Sequence, residues 1–135
     1  MELQVGVKVL LKNKEGKYLF VRRNPKKYPE VGPKWDIVGG RINIDTPLLE
    51  NLKREVKEEV GLDLVADVKL VAAQDILKSA DKHVVRLTYV GEIEGEPVID
   101  EESTEAGWFS GAEVLKMEAL DRFFKELLDN KTITL

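Results

Sequence analysis

Apolar residues fall on alternate positions at the start of the chain: Leu3, Val5, Val7, Val9 and Leu11. That period predicts a strand over residues 3–11, and "YLFVRR" (Tyr18 to Arg23) reads as its partner. The polar "KNKEGK" between them, with Gly16, suits a hairpin turn. "NPKKYPEVGPK" follows and, rich in proline and lysine, reads as an irregular loop. "WDIV" is then a short apolar run ending at Gly39-Gly40. Further on, "LVADVKLVAAQDIL" (64–77) and "HVVRLTYVGEI" (83–93) alternate enough, and are β-branched enough, to be strands joined by the turn "KSADK".

Two stretches change to the helical period. From Pro47 to about Val60, Leu48, Leu52, Val56 and Val60 gather on one side with Leu49. Thr46 suits the cap, Pro47 the first helical position and Gly61 the left-handed residue that ends such helices. Near the C-terminus, Ser110 and Glu113 form a capping-box pattern. Leu115, Leu120, Phe123, Phe124, Leu127 and Leu128 continue it as the stripe of a second helix. Strands and two helices in this order predict an α/β fold, a sheet with helices packed on it. No repeat, linker or low-complexity tract divides the chain, so residues 1–135 are expected to form one domain.

Composition narrows the function. At 15.3 kDa and 43% hydrophobic residues the chain can bury a real core. A net charge of −4 argues against nucleic-acid backbones and anionic membranes as partners. There is no apolar run of transmembrane length and no secretory leader pattern. With no cysteine, a reducing, cytoplasmic location is expected. One histidine excludes a multi-histidine zinc site, so any metal would be held by oxygen: magnesium, manganese or calcium. Charged residues make up 34%, rich in Lys and Glu as on the surfaces of heat-adapted proteins.

The first helix holds the candidate chemistry. Glu55, Glu58 and Glu59 share one helical side, with Asn51 one turn above them, while Glu50 faces nearly the opposite way. Lys53 and Lys57 point away from that side. Like charges so close destabilise a helix, more so at its C-terminal end, unless a cation binds them. Such a string is otherwise a solvated acidic face.

The stretch Gly40 to Leu62 resembles the Nudix box, G-x5-E-x7-R-E-U-x-E-E-x-G-U, where U is aliphatic. Gly40, Arg54, Glu55, Val56, Glu58, Glu59, Gly61 and Leu62 fall on the pattern, whereas Thr46 stands where its first glutamate would be. "WDIVGG" is similar to the family's W-x-x-P-G-G lead-in, with Val38 in the proline position. The resemblance implies an α/β/α sandwich whose central mixed β-sheet is flanked by helices. It implies a magnesium-dependent hydrolase, manganese being the alternative metal, that cleaves the diphosphate bond of a nucleoside diphosphate linked to another moiety. Metal ligands would be Glu55, Glu58, Glu59 and the backbone carbonyl of Gly39, with Arg54 orienting Glu55. Glu55 is also a candidate for the base that takes the water proton. Glu105, three residues before Trp108, fits the family's downstream acid better than Asp100, Glu101 or Glu102. Arg22, Arg23 and Arg41 are candidates for phosphate oxygens. Trp35 and Tyr28 are candidates for stacking on a base, with the core as the alternative for Trp35. His83 reads as an exposed strand residue. The partner would be a small nucleotide-type diphosphate, and a homodimer is compatible. Two readings stand beside the hydrolase: a Nudix-fold module that senses a nucleotide without turning it over, and an isomerase-like relative, which the absence of cysteine disfavours.

Overall fold

The computed structural model describes residues 1–27, 29 and 34–135, together with the backbone but not the side chains of residues 78 and 79. Tyr28 and part of the proline-rich loop lie outside these. The described residues form strands β1 (Glu2–Lys12), β2 (Tyr18–Arg23), β3 (Trp35–Asp36) and β4 (Val38–Arg41), then helix α1 (Leu48–Val60). Strands β5 (Lys69–Ser79), β6 (Lys82–Glu92) and β7 (Ser103–Phe109) follow, and helices α2 (Gly111–Leu115) and α3 (Arg122–Asp129) close the chain.

β1 is the spine of the sheet. It pairs in parallel with β6 from Glu2↔Lys82 to Lys12↔Glu92 and antiparallel with β4 from Gly6↔Arg41 to Val9↔Val38. Its expected hairpin with β2 is present but touches only at Lys12↔Tyr18. β5 flanks β6 across a tight turn at Ala80-Asp81, and β7 flanks β2. One parallel pair among antiparallel ones makes the sheet mixed.

The two faces of the sheet bury separate cores. Val7, Val9, Leu11, Val38 and Tyr89 pack with Leu52, Val56 and Val60 of α1. Leu10, Phe20 and Ile37 pack with Val114 of α2 and with Phe124 and Leu127 of α3. Phe20 meets Phe124 edge to face at 5.4 Å between ring centres. Helices on both faces give the α/β/α sandwich. No helix among the described residues is long and apolar enough to cross a membrane.

Four expectations need correction. Helix α1 starts one residue late: Pro47 keeps an extended ψ of 152°, which sets Thr46 too far back, and no side chain caps the helix. Leu48 and Leu49 consequently stay partly exposed at the helix start, while Leu52, Val56 and Val60 are buried. "WDIV" is two strands, not one, because Trp35–Asp36 pair with β2 and Val38–Arg41 with β1. The C-terminal stripe is two helices. Asp121 accepts from the N–H groups of Phe123 and Phe124 and so starts a new helix, while Trp35 exchanges backbone hydrogen bonds with Ala119 and Asp121. The downstream acid, which the family places in a loop, falls at Glu105 inside strand β7. Its pairing with β2 shifts between Arg22 and Arg23, a bulge that leaves Thr104 unpaired.

Candidate active site

Strand β4 and helix α1 meet closely at Gly39 and Gly40. Gly39 adopts φ +144°, and a Cβ there would run into the Val7 carbonyl of the neighbouring strand, so only glycine fits. Gly40 is needed for another reason: a Cβ would collide with the Glu55 carboxylate lying against it. The double glycine therefore lets an acidic helix rest directly on strand backbone.

Along α1 the acids differ in depth. Glu59 is buried and accepts a hydrogen bond from Gly39 N at 3.2 Å. Glu55 is mostly covered, while Glu58 is largely exposed. Arg54 bridges Glu55 and Glu58, with Nη1 at 2.8 Å from Glu55 Oε1 and 3.3 Å from Glu58 Oε2. Its Nη2 donates to Asn51 Oδ1 at 2.9 Å and to the Arg41 carbonyl at 3.2 Å.

This face lines a cavity of about 670 Å³. Asp100 and Glu102 line it too, and Glu102 is close enough to Glu55 to raise its proton affinity. Ile76, Val84 and Phe123 give an apolar wall, and Gln4, Arg41 and Lys82 also line the cavity. Behind them sits a buried charge network. The Asp36 carboxylate meets Arg86 at 2.9 Å, Arg23 at 3.2 Å and Lys8 at 3.3 Å, and Asp121 lies 3.4 Å from Arg86. Lys8 Nζ also donates to the carbonyls of Ile37 and Gly39, at 3.2 and 3.3 Å.

Burial disfavours charge on these groups, and each finds a different remedy. It pushes Asp36 upward, but Arg86, Lys8 and Arg23 outweigh it and hold the carboxyl far below the usual range. It lowers Lys8. It raises Glu55 despite Arg54, and it pushes Glu59 up to about 7 despite Lys8 and the Gly39 N–H.

Glu59 therefore makes the metal-free protein pH-sensitive. Between the ordinary 4.5 and about 7 the folded state holds a proton that the unfolded chain has released, so stability falls as pH rises through that window. A displacement of that size corresponds to roughly 3 kcal/mol. Urea unfolding in the presence of a chelator should show wild type losing stability from pH 5 to 7.5, and Glu59→Gln losing much less and being the more stable at pH 7.5. Parallel profiles for the two proteins would contradict the burial argument.

The residues proposed from sequence divide cleanly. Arg54, Glu55, Glu58, Glu59, Gly39, Arg23 and Arg41 line the one cavity. Glu105, Arg22 and Trp35 do not. Glu105 lies directly across from Arg22 and is paired with it at 3.0 Å, and Arg22 lies over the Trp35 ring. Trp35 itself packs edge to face on Phe109 in the second core. The bulge is the cause: Arg22 and Glu105 are cross-strand partners, while one step on Arg23 aligns with Ser103, at the cavity. Glu102, beside Ser103, thus faces Glu55 in place of the acid expected. His83 sits on β6, 2.7 Å from Asp75. Sequence reasoning missed Lys8, Asp36 and Arg86, whose only signal is charge inside apolar strands, and Asp121, which starts α3.

Whether a cation fits is a question of donors. All the acidic groups offer hard carboxylate oxygens, the donor type that magnesium and manganese prefer. Burial raises the proton affinities of Glu55 and Glu59, so a cation bound there would take the place of a proton. Among the described residues no three acids or histidines stand in ready-made ligand geometry, since Arg54 engages two of the carboxylates and Gly39 N the third. The donor set fits, and Arg54 would have to share its partners.

Comparison with known proteins adds family and fold. A family model described as NUDIX domain matches residues 2–130. No curated protein matches the sequence. Among solved structures, a MutT protein from Methanosarcina mazei Go1 superposes with a TM-score of 0.82 at 27% identity, covering 95% of this chain and 91% of its own. A MutT NUDIX hydrolase from Burkholderia pseudomallei gives 0.81 at 23% identity, with 99% and 100% covered. The NUDIX domain of Shewanella oneidensis NrtR, solved with ADP ribose, gives 0.75 at 16%, with 97% and 88% covered. The last two speak for the fold alone.

Proposed function

Because the chain belongs to the NUDIX family and is a Nudix hydrolase, we propose that it is a single-domain, magnesium- or manganese-dependent pyrophosphohydrolase. Its substrate would be a nucleoside diphosphate linked to another moiety: a nucleotide, a nucleotide sugar or an ADP-ribose type of molecule. One observation carries this reading. Glu55, Glu58 and Glu59, on one helix, line a cavity together with Glu102, and Arg54 holds the first two.

Nudix hydrolases generally use divalent metal ions. Glu55, Glu58 and Glu59 would hold the ion, which, when bound, screens phosphoryl oxygens and makes water a better nucleophile. The chain's own residues do the rest. Arg54 fixes the Glu55 carboxylate by a short charge-assisted hydrogen bond. Burial keeps Glu55 more basic than a surface glutamate, which suits it to take a proton from the attacking water. Glu102 supplies the second acid that sequence reading had sought at Glu105. Arg23, Arg41 and Lys82 offset the negative charge of an entering diphosphate. The Gly39 carbonyl accepts from Lys8 at 3.3 Å and keeps a second lone pair with which it would join the Glu55, Glu58 and Glu59 carboxylates at the ion.

The test is release of phosphate, pyrophosphate or nucleotide, with and without magnesium. The panel comprises nucleoside triphosphates, oxidised nucleotides, ADP-ribose, dinucleoside polyphosphates and nucleotide sugars. Magnesium-dependent release from one member establishes the reaction and names the substrate class. Glu102→Gln should then slow it at least about tenfold, and Glu105→Gln leave it within about twofold. Tight binding of one member without release would make the protein a nucleotide sensor.

A further inference from the structure

Asn51 is fully buried on α1, one turn before Glu55. Its amide makes four hydrogen bonds, as many as the group allows. Oδ1 accepts from Asn43 N at 2.8 Å and from Arg54 Nη2 at 2.9 Å. Nδ2 donates to the carbonyls of Thr46 at 2.8 Å and Pro47 at 3.0 Å. The orientation is fixed by chemistry, since the two carbonyls can only accept and the Asn43 N–H and guanidinium can only donate.

We infer that Asn51 is a positioning residue: through its carbonyl it holds Arg54, and through Arg54 it sets the Glu55 and Glu58 carboxylates, while its NH₂ ties the 43–47 loop to the helix. This rests on the reading of the site as a metal-dependent hydrolase. It accounts for two features. The 43–47 loop is tied to the start of α1 although no side chain caps that helix. Thr46 offers no carboxylate to Arg54, and Asn51 Oδ1 meets the guanidinium from within the helix. Aspartate could keep the acceptor half of this role but not the donor half, and leucine, of similar shape, could keep neither.

The experiment compares Asn51→Leu, Asn51→Asp, Arg54→Ala and the double variant Asn51→Leu/Arg54→Ala. Readouts are kcat and KM on whichever panel member is hydrolysed, Mn²⁺ affinity by titration of the free protein, and Tm. Asn51→Leu should lower kcat or Mn²⁺ affinity by about 10- to 100-fold, the usual loss when the partner of a ligand is removed, with KM within about threefold. The double variant should be no worse than Arg54→Ala, because residues acting through one another are not additive. Asn51→Asp should keep kcat within about threefold of wild type while losing Tm. Multiplying losses in the double variant, or an Asn51→Asp as slow as Asn51→Leu, would overturn the inference and leave Asn51 a structural residue. If wild type hydrolyses nothing, the hydrolase reading fails, and the Mn²⁺ affinities still decide the role of Asn51.

Discussion

Exchanging Glu58 and Glu59 together for glutamine should reduce magnesium-dependent hydrolysis by at least about 10³-fold, equivalent to roughly 4 kcal/mol of transition-state stabilisation. The exchange keeps the shape of both side chains and the Gly39 N hydrogen bond, since an amide oxygen accepts as a carboxylate does. What it removes is charge: one carboxylate buried against the glycine turn and one bridged by Arg54. The fold should survive, and at neutral pH the metal-free variant should be the more stable, because the buried Glu59 charge is costly there. Activity and stability thus move in opposite directions, which a merely damaged protein would not do. Initial rates, with circular dichroism to show the variant folded, check this. Retention of more than about a tenth of the activity would mean that the chemistry lies elsewhere.

The other large effect concerns the floor of the cavity. Asp36→Asn should destabilise the protein by about 3–5 kcal/mol, the usual cost of removing one member of a buried ion pair. Asp36 is fully buried, and Lys8, Arg23 and Arg86 all lie against it. Without its charge three cations are left together with Asp121 as a nearby acid. Lys8, whose proton is already held weakly through burial, would give it up first. That release would loosen the Ile37 and Gly39 carbonyls and with them the start of β4, on which Glu59 rests. Urea unfolding at pH 7 measures the loss, and a change below about 1 kcal/mol would show that the network relaxes or that water reaches it.

Sequence revealed the parts of this site whose chemistry is contiguous. Gly40, Arg54, Glu55, Glu58 and Glu59 sit within two dozen positions, and helical spacing alone brings the acids to one side. A sheet with helices packed on it was equally readable, because β1, β6 and α1 carry clear periods, while the sandwich order followed from the family resemblance. What stayed hidden was set by tertiary pairing. The bulge at Arg22 and Arg23 sends Glu105 away from the cavity and leaves Glu102 inside it, and nothing in "DEESTEAGWF" marks a bulge. Leu120 reads as helix stripe because it is apolar at helical spacing, yet its neighbours bond to Trp35 backbone. The Asp36 network joins residues 8, 23, 36, 86 and 121, each of which reads alone as an ordinary strand or loop charge. Asn51 was seen to lie on the acidic side, but its four partners depend on how the 43–47 loop returns to the helix.

The claim that everything else depends on is that the acidic face of α1 is a cation socket. Calorimetric titration of Mn²⁺ into the free protein near pH 7, in two buffers of different ionisation enthalpy, tests it most directly. The account predicts saturable binding to wild type with proton release, since Glu59 is partly protonated there and must lose its proton to bind metal. It predicts no such binding to Glu58→Gln/Glu59→Gln. Absence of binding to wild type, or equal binding to both proteins, would contradict it.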